Sequence, residues 1–303
     1  MKRIFYCVCV SLVVFCFLQT ISSAQEKEAR ELKVMSFNIW VGGGTSLDET
    51  LNVIKTTGAD IVGVQEASKQ GKNVVEQFAK DLGWHSYAET SSRTILSRYP
   101  IVKVATNKKG CKIQIDDETF VWMFNLHLMY VPYEPYQLND IEYGGAPFLK
   151  TAEEAIASAW KSRGEDVKAT VADIKEAQKD NCPIFLTGDF NEPSCQDWTD
   201  KAAKAGICKI PVDWPATRAL IRDGGMKDSY RAKYPDEAKH KGHTWTTRPS
   251  KREVLDRIDF LFFHGENVKV KNVLIVGEKS ELSDLQFENY PSDHRAVLGI
   301  FTL

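Results

Sequence analysis

The residues of this chain best placed to do chemistry stand where apolar runs end. In IFLTGDFNEP (Ile184–Pro193) an apolar run closes on Asp189 and Asn191. The two-residue repeat of a strand points both side chains the same way. Similar positions recur at Asn38 in KVMSFNIW, Glu66 after IVGVQ, His127 in FVWMFNLHL and Asp259 in RIDFLFF, while Asp293 and His294 precede the last apolar run. Each has an ordinary explanation by itself. Gly-Asp and Asn-Glu-Pro are turn chemistry; a lone Glu66 reads as a solvated strand-end carboxylate, and a lone His127 as a satisfied core histidine. Together they supply what hydrolysis of a phosphate ester requires. Glu66 and Asp293 are hard oxygen ligands suited to Mg²⁺ or Mn²⁺, with no soft ligand beside them to favour zinc. Such an ion polarises a phosphoryl oxygen and offsets charge on the leaving group. A histidine beside a carboxylate is held in one tautomer as a base or phosphate partner, and Asp259 with His294 is the expected pair.

For these residues to meet, the elements that carry them must bring their ends to one edge. Strands are expected at Lys33–Trp40, Ile61–Gln65, Trp84–Glu89, Thr94–Ser97, Ile101–Ala105, Phe120–Leu128 and Ile184–Leu186, then at Thr244–Thr246, Ile258–Phe263, Val268–Val276 and Ala296–Thr302. Phe120–Leu128 is almost wholly apolar, as a central strand covered on both faces must be. Ser46 with Glu49 three residues on is a capping-box signature for a helix through Thr56. Further helices are expected at Asn73–Leu82, Thr151–Lys179, Gln196–Ala205 and Ala216–Gly224, and Met129–Phe148 is irregular and rich in Tyr and Pro. The pattern predicts a four-layered α/β sandwich: two mixed β-sheets packed face to face, with helices outside.

The segments SFNIW, VGVQEA, FNLHL, TGDFNEP, HTWT, RIDFLFF and PSDHRAV, in this order over Lys33–Leu303, resemble the motifs of the endonuclease/exonuclease/phosphatase superfamily, as in a secreted bacterial-type member. That resemblance implies the deoxyribonuclease I-like fold and in-line attack by activated water without a covalent enzyme intermediate. It implies Glu66 as main metal ligand with Asn38 beside it and Asp293 completing the site. Asp189 would orient or deprotonate the water, Asn191 would bind the scissile phosphate, and His127 and His294 would contact its oxygens, with Asp259 orienting His294. Trp245 matches a tryptophan common in the family, and Tyr130, Tyr133 and Tyr136 follow closely on His127; Tyr130, Tyr133 and Trp245 are the candidate substrate contacts. Arg257 is expected to pair with a carboxylate, and Ser292 to serve the local turn.

The bulk properties constrain the partners. MKR, the apolar run Ile4–Leu18 and Ser22-Ser23-Ala24 have the layout of an export signal, so cleavage after Ala24 and a single secreted or periplasmic domain over residues 25–303, with no stable membrane anchor, are expected. Loss of Lys2 and Arg3 takes the formal charge from −2 to −4, which argues against gripping a polyphosphate backbone. Lys161, Arg163, Arg218, Arg222 and Lys251-Arg252 could still form a local basic rim. Of the four cysteines left, Cys195 and Cys208 are the nearest pair for a disulfide. The expected function is a metal-dependent phosphoesterase acting on a phosphodiester or phosphomonoester of small or non-nucleic-acid type. The alternatives are a nuclease and a catalytically silent binding domain. Nucleic acid is possible as a partner but not favoured, because the aromatic, mildly acidic segment after His127 would narrow the cleft against a bulky polyanion.

Overall fold

Apolar residues at successive strand positions give a strand two faces to bury, and this chain covers both. The computed structural model describes residues 30–303; the expected export signal lies outside the described residues. One sheet has seven strands, in the order Leu285–Phe287, Lys269–Glu278, Ala296–Thr302, Glu31–Asn38, Ile61–Gln65, Thr94–Ser97 and His85–Ala88. A second has six: Lys227–Asp228, Asp259–His264, Ile184–Asp189, Phe120–His127, Gly110–Gln114 and Ile101–Val104. Both are mixed, as the parallel pairs Glu31–Asn38 with Ile61–Gln65 and Ile184–Asp189 with Phe120–His127 show.

The sheets pack face to face. Phe185 and Leu261 point between them with Val34, Ile61 and Phe301. Their strand neighbours Ile184, Leu186, Phe260 and Phe262 point the other way, beneath Val167 and Ile174 of the long helix Ala152–Gln178. On the far side, Met35, Val62 and Val64 pack against Val53, Ile54 and Phe78 of the helices Leu47–Thr57 and Val75–Leu82. The result is the expected helix–sheet–sheet–helix sandwich, the deoxyribonuclease I-like arrangement. Each such buried side chain stabilises by about 1.5–3 kcal/mol over its exposed state.

Local signals fix the helix starts. Ser46 Oγ accepts the Glu49 amide at 3.2 Å, while the full reciprocal capping box forms at Thr151 and Glu154. The long helix thereby begins and ends within one residue of expectation.

Some expected elements differ. Gly110–Gln114, Lys227–Asp228 and Leu285–Phe287 are strands by pairing with neighbours rather than by pattern. At Gly110 a Cβ would lie 2.4 Å from the Met123 carbonyl oxygen, so the close approach of the two backbones requires glycine. Thr244–Thr246 forms no strand; Trp245 makes only isolated bridges to Asp256 and His294. The expected helix Gln196–Ala205 shortens to Asp200–Lys204, capped by Thr199. Cys195 and Cys208 are not bridged, nor are Cys111 and Cys182. Among the described residues no helix is long and apolar enough to cross a membrane.

Toward one end of the sandwich the space between the sheets turns polar. Gln65 Nε2 and Thr187 Oγ1 both donate to Asn125 Oδ1, at 2.5 and 3.0 Å, and the Gly188 amide donates to Ser36 Oγ at 3.1 Å. Gly63 leaves room for this: a Cβ there would sit 1.8 Å from Thr187 Oγ1. These bonds tie the two sheets together directly beneath the residues that could do chemistry.

Candidate active site

Strand register assembles the centre. Asp189 is the Cα partner of His127 on one side and of Asp259 on the other, so three strand ends of one sheet present their polar residues side by side. The other sheet contributes Asn38, paired in register with Gln65, and then Glu66 one residue beyond that strand. Asn38 joins the two sets. Its Nδ2 donates to Asp189 Oδ2 at 2.8 Å and to Glu66 Oε1 at 3.3 Å, and its Oδ1 accepts the Trp40 amide at 3.0 Å. Glu66 Oε2 accepts the Val41 amide at 2.7 Å. Glu66 and Asn191 both hold φ in the left-handed region, at +57° and +47°. Non-glycine residues are uncommon there, and such strain concentrates where a side chain must be aimed.

The histidines approach the same oxygen from two directions. His294 Nδ1 donates to Asp259 Oδ2 at 2.9 Å, which leaves Nε2 3.8 Å from Asp189 Oδ2. His127 Nε2 lies 3.6 Å from Asp189 Oδ2 and 3.9 Å from Glu66 Oε1. Burial works to lower the His294 pKa but is outweighed by Asp259, Asp189 and Asp293, which raise it to about 10. The imidazolium, a donor from both nitrogens, is the form this pocket favours. Thr244 Oγ1 holds the start of the Asp259 strand by accepting the amides of Ile258 and Asp259, each at 3.0 Å. Ser292 does more than shape a turn: its Oγ donates to the Asn38 carbonyl at 2.7 Å and accepts the His294 amide at 3.1 Å. Asn191 donates its backbone amide to Asp189 Oδ1 at 2.9 Å and its Nδ2 to the Leu128 carbonyl at 3.2 Å.

All eight residues singled out for chemistry therefore belong to one constellation. The substrate contacts need a finer description. Tyr130, Tyr133 and Trp245 line one small cavity with Asn191, but so do Tyr136 and Tyr143. Tyr133 is buried and gives its hydroxyl to Asp256 Oδ2 at 2.8 Å, so only its ring faces the cavity. Trp245 lies with its ring centroid 4.8 Å from that of His294, and its Nε1 donates to Tyr136 Oη at 3.0 Å. Burial raises the Tyr143 pKa, and the charges of Tyr130, Asp189 and Glu66 add to it, which places that hydroxyl in the field of the central carboxylates. Tyr143 went unremarked in the sequence although it stands in the same aromatic-rich segment; Glu253, which accepts the Tyr136 hydroxyl, carried no signal at all.

The expected basic rim does not form as a unit. Arg163 is 1% exposed. It points inward from the long helix to Glu134 Oε2 at 2.8 Å, with Glu192 Oε2 at 3.7 Å. Arg218 pairs with Asp213 at 2.7 Å. Lys161, Arg218 and Arg222 line a separate groove of about 890 Å³ that no candidate catalytic residue enters. Arg257 pairs with Asp197 and Asp228 at 2.8 Å each, as expected.

Two sets of side chains could hold a cation. Ligand atoms of Asp189, Asp259 and His294 lie within 4.8 Å of one another, yet Asp259 Oδ2 and His294 Nδ1 are already spent on each other. Asp293 Oδ1 and Asp259 Oδ1 are both buried and lack any hydrogen-bond donor. Burial, with the charges of Glu66 and Asp189, pushes the Asp293 carboxyl up to about 6 against the opposing pull of His294. Clustered carboxylates with an undonated oxygen make a donor set that a hard divalent cation fits.

The fold and this constellation define a class of phosphoric-ester hydrolases. The chain belongs to the Endonuclease/Exonuclease/phosphatase family, whose model matches residues 35–294, and it is a metal-dependent hydrolase of that class. A curated relative from Caenorhabditis elegans, "Uncharacterized protein F14F9.5", is 28% identical over 320 aligned residues, covering 96% of this chain and 98% of its own. Among solved structures, truncated Caenorhabditis elegans TDP2 superposes with a TM-score of 0.55 at 20% identity, covering 90% of this chain and 98% of that one. D. rerio TDP2 complexed with single strand DNA product gives 0.54 at 16% identity, covering 90% and 99%. At these identities the structural likeness is one of fold.

Proposed function

We propose that this protein hydrolyses a phosphodiester or phosphomonoester of small or non-nucleic-acid type, using Mg²⁺ or Mn²⁺ and in-line attack by water. The observation that carries the reading is the convergence of Asn38, His127 and His294 on the single oxygen Asp189 Oδ2, at 2.8, 3.6 and 3.8 Å. A carboxylate so placed orients a water and takes its proton, while two imidazoles on either side donate to the non-bridging oxygens of a phosphate. Asn191 is aimed at the same phosphate by its backbone bond to Asp189 Oδ1. Asp259 keeps His294 in the orientation that presents Nε2. Glu66 and Asp293, with Asn38 beside them, would hold the divalent ion, which when bound polarises the phosphoryl oxygen and offsets charge on the leaving group.

The mature charge of −4, the tyrosines over the site and the inward turn of Arg163 support a small ester over a duplex. The second reading, cleavage of DNA or RNA, draws support from the similar structure described as holding a single-strand DNA product. Hydrolysis of plasmid DNA, RNA and a panel of small phosphodiesters and monoesters by residues 25–303, with Mg²⁺, Mn²⁺ or EDTA, separates the two. EDTA-sensitive turnover of small esters with nucleic acid left intact is the expected result; fast cleavage of nucleic acid would replace it with the second. Export after cleavage behind Ala24 is part of the proposal and rests on the N-terminal sequence pattern. Its check is the N-terminus of the released protein, expected at Gln25.

A further inference from the structure

Beside the phosphate-facing residues lies a cavity whose walls are almost wholly aromatic: Tyr130, Tyr133, Tyr136, Tyr143 and Trp245, with Asn191 at its phosphate end. Three of the five walls have no hydrogen-bond donor left to offer a ligand. The Tyr133 hydroxyl goes to Asp256, the Tyr136 hydroxyl to Glu253, and Trp245 Nε1 to Tyr136 Oη and Glu253 Oε1. Tyr133, Tyr136 and Tyr143 stack edge to face in a row, with ring centroids 4.7 and 5.5 Å apart. Trp245 connects this row to His294, its ring 4.8 Å from the imidazole. On the outer side Tyr130 is 56% exposed and Tyr143 36%.

From this arrangement we infer that the cavity is a subsite for an uncharged, flat ring carried by the ester, and that Tyr130 and Tyr143 set that preference. The inference rests on the phosphoesterase reading above and narrows its substrate class. A polyol such as inositol or glycerol would leave hydroxyl groups facing ring surfaces without partners, and each unsatisfied group costs binding. A flat ring loses nothing there and gains stacking and edge contacts. The space is small, about 40 Å³. That suits the edge of one ring better than the ball of a trimethylammonium group, although aromatic walls can also attract such a cation.

The test compares benzyl, glyceryl and choline esters, each as the phosphate monoester and the methyl phosphodiester, on wild type, Tyr143→Ala and Tyr130→Ala. Thermal melting verifies that each variant folds; Tyr130, exposed and without a side-chain hydrogen bond, is the variant whose fold is least at risk. The subsite predicts a benzyl preference in wild type, and a benzyl-to-glyceryl ratio of kcat/KM that falls by about tenfold or more in either variant. A glyceryl preference, or a ratio unchanged in both variants, overturns the subsite and leaves the phosphoesterase reading standing. A choline preference makes the cavity a cation cage and overturns the neutral ring. Failure of wild type to turn over any of these esters or any other phosphate ester with metal present overturns the underlying reading and the subsite with it.

Discussion

Asn38 Nδ2 donates to Asp189 Oδ2 at 2.8 Å across 151 positions of sequence. The bond joins the end of a strand in one sheet to the end of a strand in the other. It turns Asp189 Oδ2 toward His127 and His294 and, through the second contact of Asn38, couples that oxygen to Glu66. Removal of this amide should misplace the nucleophile's base and the metal-side carboxylate together. Asn38→Ala is expected to lower kcat by about 10²-fold or more, as losing a positioning or charge-stabilising group does. A loss confined to KM would contradict that role.

Asp189→Asn and His294→Ala should each reduce turnover by at least ~10² while the protein stays folded. Asp189 sits between three partners at the sheet end, and Asn preserves its shape but cannot accept a proton. Near-normal activity of both variants against the true substrate, with melting temperatures matching wild type, would remove these residues from the mechanism.

Metal removal separates Glu66 and Asp293 from the histidines. EDTA should abolish hydrolysis, and added Mg²⁺ or Mn²⁺ should restore it. Glu66→Gln and Asp293→Asn should weaken metal binding measured directly by calorimetry, whereas His127→Ala should leave it little changed. If the His294→Ala and Asp259→Asn variants lost metal binding instead, the buried Asp189–Asp259–His294 group would be the metal site.

Arg163 offers a stability prediction. Its Nη1 meets Glu134 Oε2 at 2.8 Å and approaches Glu192 Oε2 at 3.7 Å, and its Nε donates to the Met129 carbonyl at 2.9 Å. It thus pins the segment after His127 to the residue after Asn191. Arg163→Met would leave Glu134 facing no cation in a buried site and should cost about 3–5 kcal/mol. Adding Glu134→Leu to that variant should recover part of the loss in urea unfolding, and equal stability of single and double variants would show that the pair is not coupled.

Asp256 makes stability depend on pH. Burial raises its carboxyl to about 7, against the pull of hydrogen bonds from Trp198 and Tyr133, with Asp197 and Glu253 adding to the rise. Since the folded value lies above the unfolded one of about 3.9, the folded state holds the proton more tightly. Its contribution to stability is complete below pH ~4 and is lost as pH climbs through about 7. Asp256→Asn should flatten the fall in melting temperature between pH ~4 and ~7; an unchanged slope would assign it to other groups.

Much of this protein could be read without coordinates. The apolar runs Phe120–His127 and Ile184–Asp189, the Ser46–Glu49 cap of a helix start, and the polar residues closing apolar runs are all local facts, and local steric and hydrogen-bonding preferences enforce them. They were enough to nominate Asn38, Glu66, His127, Asp189, Asn191, Asp259, Asp293 and His294. Tertiary packing decided what no local preference encodes. Gly110–Gln114 is a strand because neighbouring strands pair with it. Arg163 faces Glu134 instead of solvent because its helix turns that position toward the segment following His127. Glu253 joins the polar backing of the aromatic cavity through a contact 117 positions away in sequence, with Tyr136. A side chain's type and spacing state which interactions it can make. Which of them it does make depends on what the fold brings within a few ångströms, and that is a property of the whole chain.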